Sequence, residues 1–136
     1  MSIFLDASAI VAILAREPEA VPFACHIERE ADRTTSAVSV WEATRGLAKA
    51  RALPFEEARS IVTDYLRVFD IRIVPIAAAE AEIALDAHHR FGKGRHEAAL
   101  NLGDCFTYAC ARTQDAELLF KGEDFIHTDL QDATLS

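Results

Sequence analysis

Residues 99–114, ALNLGDCFTYACARTQ, place a single carboxylate inside a stretch whose other side chains ask to be buried. Leu100, Leu102, Cys105, Phe106, Ala109 and Cys110 recur at three- and four-residue steps. That spacing predicts a helix with one apolar side. Asp104 falls within the run, and Gly103 before it keeps the approach to the carboxylate open. A carboxylate buried without a partner costs several kcal/mol or is driven towards its neutral form. Asp104 therefore needs a role as a helix cap, a cation beside it, or a metal ion shared with other acids. The last option asks the rest of the chain to bring more carboxylates to the same point.

Three other acids qualify by position. Ile3-Phe4-Leu5 is a short, wholly apolar run, suited to a strand buried on both faces of a parallel sheet, and it ends at Asp6. Ligands gather beyond the carboxyl ends of such strands. Ser8 stands where its hydroxyl either caps the following helix or holds Asp6. Glu42 lies on a helix expected from Ser36 or Ser39 through Ala50, with Val38, Trp41, Ala43, Leu47 and Ala48 as its apolar positions. Asp124 follows the last expected strand, 117–121. Between these lie expected helices at 9–17, 18–31, 54–69 and 77–89, strands at 33–36 and 71–76, and a loop at 91–96 broken by Gly92 and Gly94. Strands alternating with helices predict an α/β fold: a three-layer α/β/α sandwich around a mostly parallel sheet, with right-handed crossovers. No repeat, linker or low-complexity tract interrupts the 136 residues, so residues 1–136 are expected to form one domain.

Charge narrows the function classes. A formal net charge of −8 argues against a generally basic nucleic-acid-binding surface. The charge is uneven, however. Residues 115–136 hold six acids against Lys121, whereas residues 42–51 hold Arg45, Lys49 and Arg51 against Glu42 alone. Cys25, Cys105 and Cys110 form neither a C-x-x-C pair nor an even set, and SIFLDASAI begins without a basic flank or cleavage site. Reduced core thiols in a cytoplasmic protein are the expectation. No apolar run approaches the roughly 20 residues that span a bilayer.

In a doubly wound sheet, strand ends and the helix starts beyond them face one crevice. Asp6, Glu42, Asp104 and Asp124 can therefore converge although they are far apart in sequence. Converged and unpaired, they raise one another's pKa, and a divalent cation relieves the repulsion. Ligands that are all oxygen, without His or Cys, select Mg²⁺ or Mn²⁺ over zinc.

These residues also carry a resemblance. LDASAI at the start, WE at 41–42, FGKGRHEAALNLGDCFTYACA at 91–111 and LLFKGEDF at 118–125 resemble PIN domains, and more closely the VapC toxins of bacterial toxin–antitoxin pairs. The match runs along nearly the whole chain in order, and the block from Gly92 to Ala109 is its most specific part. The resemblance implies a PIN-like fold and a metal-dependent endoribonuclease of a type II module, which cleaves RNA phosphodiester bonds with metal-activated water. It implies Mg²⁺ or Mn²⁺ as cofactor, a cognate VapB-like antitoxin as partner, and a homodimer. Its acids carry over to Asp6, Glu42, Asp104 and Asp124 as catalytic and metal-binding residues, with Ser8 supporting them. Glu123 and Asp129 stand near enough to Asp124 to share its role.

For RNA contact the local basic residues are Lys93 and Arg95 in the loop, with Arg90 and His96 beside them, and Arg45 on the helix that carries Glu42. Two other readings compete. One is a catalytically silent domain of the same fold that binds RNA or protein. The other is a phosphotransferase with Asp6 as nucleophile, against which Ser8 stands where such enzymes carry a second Asp.

Overall fold

A computed structural model describes residues 2–135. Four short strands, β1 (Ser2–Leu5), β2 (Asp32–Ser36), β3 (Ile71–Val74) and β4 (Glu117–Leu119), form one sheet in the order β3-β2-β1-β4. All pairings are parallel. Six helices connect them: α1 (Ala7–Leu14), α2 (Ala20–Arg29), α3 (Ala37–Ala50), α4 (Phe55–Val68), α5 (Ala78–Phe91) and α6 (Leu102–Thr113).

The alternation of side chains along the strands decides the layers. Ile3 and Leu5 of β1 join Leu119 and Ile71 on one face, packed with Ile10, Phe23, Ile27, Leu47 and Val62 from α1–α4. Phe4, Leu118 and Val74 point to the other face, against Ala84, Ala87, Tyr108 and Ala109 of α5 and α6. This is the expected three-layer sandwich, with every strand parallel. The chain first steps from β1 to β2 to β3 with its helices on one face. It then crosses back behind the sheet, through α5 and α6, to place β4 on the other side of β1. The direction of travel therefore reverses between β1 and β4. In open α/β sheets the ligand crevice opens beyond the strands' carboxyl ends at such a reversal. β1 ends there at Leu5, and Asp6 follows it.

Several expectations need correction. Trp41 and Leu102 fall on helical apolar positions yet are 58% and 71% exposed. Leu100 precedes α6 and is buried through a bridge to Gly92. The loop between α5 and α6 is bonded to itself at its base. Phe91 and Lys93 exchange backbone bonds with Leu100, closing its base, and the His96 ring meets Phe91 edge-on. Gly94 has a positive φ of 83°. Gly92 does not; it is needed because a Cβ there would strike the His88 carbonyl. Cys105 and Cys110 are buried core thiols as expected, but Cys25 is exposed. Among the described residues, no helix is long and apolar enough to cross a membrane.

Leu47 is fully buried between α3 and the helical layer on its face of the sheet. Leu47→Ala should lower unfolding free energy by about 2–5 kcal/mol, measured by urea denaturation. A loss below about 0.5 kcal/mol would mean that this layer does not hold the fold.

Candidate active site

Asp6 is the N-cap of α1 and the most firmly held of the four acids. Its Oδ2 accepts from the Ser8 backbone N–H at 3.0 Å and from the Ser8 hydroxyl at 2.6 Å. Its Oδ1 accepts from the Thr107 hydroxyl at 2.9 Å. The Ser8 oxygen also accepts the Lys121 backbone N–H at 2.9 Å, which ties the end of β4 to the start of α1. Ser8 thus bonds to Asp6 directly, rather than capping the helix itself.

Thr107 is the residue that the sequence reading missed. It lies one turn after Asp104 on α6 and is fully buried, and its hydroxyl is 3.3 Å from that of Ser39. Ser39 in turn stands 3.2 Å from Ser36, the N-cap of α3. A chain of hydroxyls therefore joins the start of α3 to α6 and to Asp6. The available signal was a Thr at helical spacing from an acid within an apolar face, since a buried hydroxyl requires a partner.

Glu42 is half-buried on α3, one turn after Ser39. Burial is the main cause of its raised pKa, and the charge of Asp6 adds to it. The space for its carboxylate comes from Gly103: a Cβ at that position would collide with both Glu42 oxygens. The glycine before Asp104 thus makes room for Glu42, not for Asp104 itself.

Asp104 is both cap and charge. It is the third residue of α6, and its Oδ2 accepts from the Asn101 backbone N–H at 3.1 Å, while the Asn101 side chain accepts from the Asp104 N–H at 2.9 Å. This reciprocal box accounts for one oxygen. Burial lifts the Asp104 pKa to about 7 against the lowering effect of the Asn101 bond, and Asp6, Asp124 and Glu42 push it the same way. Asp124 is raised by burial and then by Asp6. Asp6 therefore lies close enough to Glu42, Asp104 and Asp124 to raise the pKa of each.

Asp129 belongs to the other end of the sheet. It accepts from the Tyr108 hydroxyl at 2.5 Å and from Arg90 at 3.1 Å, with Arg112 at 3.9 Å. These donors hold its pKa down against its partial burial. It lines a cavity with Ser2, Asp32 and Glu117, residues that begin or adjoin the starts of strands. Arg90 is committed to that cluster and not to the loop after α5. Lys93 borders a hollow with Asn101 and Leu102 at the start of α6, Arg95 lies 3.4 Å from His89, and Arg45 stacks on Trp41.

The donor set suits a hard divalent ion. Among the described residues, no lysine or arginine forms an ion pair with Asp6, Glu42, Asp104 or Asp124. The nearby Lys121 ammonium is turned to Glu17 at 3.2 Å and Glu19 at 3.5 Å. Among the described residues, no three Asp, Glu, His or Cys side chains stand ready as a ligand cage. Mg²⁺ tolerates such looseness because it keeps several waters and takes few protein carboxylates.

Comparison with known proteins gives this geometry its family. The PIN domain model matches residues 3–130. Ribonuclease VapC30 of Mycobacterium tuberculosis is 40% identical over 132 residues, covering 96% of this chain and 98% of its own. Ribonuclease VapC of Mycolicibacterium smegmatis is 40% identical over 127 residues, 93% of this chain and 95% of its own. VapC ribonuclease R02377 of Rhizobium meliloti is 35% identical over 139 aligned positions, 93% of this chain and 98% of its own. The α/β sandwich, the reversal beside β1 and these full-length matches agree, and the chain belongs to the PIN-domain family, among its VapC ribonucleases.

Proposed function

We propose that this protein is a metal-dependent endoribonuclease toxin whose reaction centre is formed by Asp6, Glu42, Asp104 and Asp124. The observation that carries the reading is the placement of these acids: the Glu42 carboxylate lies against Gly103 beside Asp104, Asp6 bonds to Thr107 one turn further along α6, and burial, followed by Asp6, Asp124 and Glu42, raises the Asp104 pKa to about 7. Four carboxylates without a counter-cation cost the fold stability, and a divalent ion at their meeting point turns that cost into binding energy.

Asp6 and Asp104 are the best direct ligands for Mg²⁺ or Mn²⁺. Both lie at helix starts, and each has its orientation fixed by hydrogen bonds. Glu42 and Asp124 are less tethered and suit contact through water, orientation of the attacking water, or a second ion. When bound, a divalent ion supplies charge neutralisation for the phosphate and acidifies water for in-line attack on phosphorus. The chain's own part is positional. Ser8 and Thr107 hold both oxygens of Asp6, so the carboxylate does not turn away as charge builds on the phosphate. Gly103 lets the Glu42 carboxylate lie against the start of α6. Lys93 and Arg45 border this end of the sheet and suit phosphate contact, whereas Arg95 beside His89 is more remote.

The family reading extends to a VapB-like antitoxin, to cytoplasmic action and to a homodimer. A basic antitoxin side chain, such as a guanidinium that pairs with two carboxylates, would silence the crevice once metal leaves. An amphipathic antitoxin segment laid on the first helices, around Ile10, Val11, Ile13, Leu14 and Phe23, would meet Val11, Ile13 and Leu14, which are partly exposed, but not Ile10 and Phe23, which are buried in the α1–α4 layer.

Three outcomes test this reading. Asp104→Asn should abolish cleavage of an RNA substrate and weaken Mn²⁺ binding by titration calorimetry while leaving the circular dichroism spectrum unchanged. Full activity in a rigorously purified variant would remove Asp104 from the reaction.

Stability against pH gives the second. The pKa of Asp104 is raised in the fold, so the folded state holds the proton more tightly than the unfolded chain does. That contribution is present at low pH and is lost as pH rises from the unfolded value, about 3.9, through about 7. In metal-free buffer, thermal stability should therefore decline across this window by less in Asp104→Asn than in the wild type. Added Mn²⁺ should flatten the wild-type decline. Identical slopes in the two proteins would show that Asp104 does not carry the perturbed titration.

Third, Lys93→Ala should weaken RNA binding and reduce the log–log salt slope by roughly one, as measured by anisotropy in EDTA. An unchanged slope would make Lys93 a bystander.

A further inference from the structure

The most exposed aromatic surface of the chain lies directly beside the candidate reaction centre, and the fold gives no reason for it. Trp41 is the only tryptophan in the sequence, precedes Glu42 on α3, and is 58% exposed. A lone exposed apolar residue needs no explanation, but Trp41 is not alone. Leu102, at the first position of α6, is 71% exposed, and the two enclose a hollow of about 320 Å³ with Ala37, Val38 and Glu42. On its other side, Trp41 shares a hollow of about 250 Å³ with Glu42, Arg45, Gly46 and Lys49. The Arg45 guanidinium lies 4.9 Å from the centre of the indole. One flank of the indole is thus apolar, the other cationic, and Glu42 lines both.

We propose that the hollow between Trp41 and Leu102 is a nucleobase subsite. It takes one unstacked base of a single-stranded RNA onto the indole, at a nucleotide next to the phosphate being cut. The inference rests on the endoribonuclease reading and names the form of RNA that it requires. A base offers a flat π face that stacks on an aromatic ring whatever its identity. Its backbone carries the negative charge that Arg45 and Lys49 complement, in a chain whose net charge is otherwise −8. The pairing of an apolar slot with two cations on one helix face favours a nucleotide over an apolar peptide, which would leave both cations unused. Base faces in a duplex are already stacked, and A-form geometry keeps them from the slot. The walls of the slot are apolar apart from Glu42, so it selects for single strands more than for one base.

Trp41 is its own reporter. With the full chain in EDTA, where cleavage is prevented, a single-stranded oligoribonucleotide should quench Trp41 fluorescence. The same sequence as a duplex, or with an abasic site in place of each base, should quench much less. Trp41→Ala should weaken anisotropy-measured binding of a labelled single strand roughly tenfold. It should raise KM by a similar factor at unchanged kcat when Mn²⁺ is present. Trp41→Phe should recover most of the loss. The metal-free melting temperature should not fall in either variant, since the side chain is exposed.

Unquenched fluorescence at saturating single strand, or equal affinity in Trp41→Ala and wild type, overturns the proposal. So does a Trp41→Ala protein whose only change is its oligomeric state by light scattering, which would make the patch an interface between copies. Binding in EDTA keeps this outcome separate from the reading beneath it. Quenching without any cleavage in Mn²⁺ or Mg²⁺ retains the subsite and overturns the endoribonuclease. Cleavage with a silent Trp41 does the reverse.

Discussion

Four carboxylates brought to one crevice repel one another, and much of the local structure serves to hold them there. Asp6 bears the largest share, because its charge raises the pKa of Glu42, Asp104 and Asp124 alike. It is also the acid with the most hydrogen bonds, two from Ser8 and one from Thr107. Those bonds fix its orientation, while burial raises the pKa of its neighbours. The result is a site in which one carboxylate is fixed and three are poised. Under the proposed function, a cation would find an anchored first ligand there and an electrostatic reason to draw in the rest.

The hydroxyl chain gives this arrangement its stiffness. Ser36, Ser39 and Thr107 link the start of α3 to the middle of α6, and Ser8 links α1 to the chain leaving β4. Three of the four acids lie within three residues of one of those hydroxyls, Asp6 of Ser8, Glu42 of Ser39 and Asp104 of Thr107, and Asp124 lies three residues after Lys121, whose backbone N–H bonds to Ser8. Neutral hydroxyls suit the task. They satisfy buried lone pairs without adding a charge that would compete with a metal or collapse the crevice.

The opposite end of the sheet obeys a different logic. There Asp129 is surrounded by Arg90, Arg112 and the Tyr108 hydroxyl, and its pKa falls. The same residue type is thus neutralised by fixed cations at one end and left to its like-charged neighbours at the other. Acids that have already been paired serve the fold, and acids left unpaired in a crevice are available for chemistry.

The amino-acid sequence by itself determined the class of fold and singled out the four acids that the proposed function uses. Short strands, the first an apolar run ending at Asp6, alternating with amphipathic helices, leave little besides a parallel sheet with helices on both faces. The block from Gly92 to Ala109 carried the family. What needed the tertiary structure was everything that depends on distance across the chain. Asp124, Glu123 and Asp129 look interchangeable in sequence, yet the fold sends Asp129 to the far end of the sheet and couples Asp124 to Asp6. Trp41 and Leu102 fit helical periodicity as core residues, but the reversal of the chain beside β1 leaves both at the open crevice, with no layer to cover them. Thr107 reads as one threonine in an apolar helix until Asp6, 101 residues away, is found at 2.9 Å. Periodicity reports which side of a helix is apolar; only packing decides what stands opposite it, and therefore whether a buried hydroxyl or a bare indole has a partner.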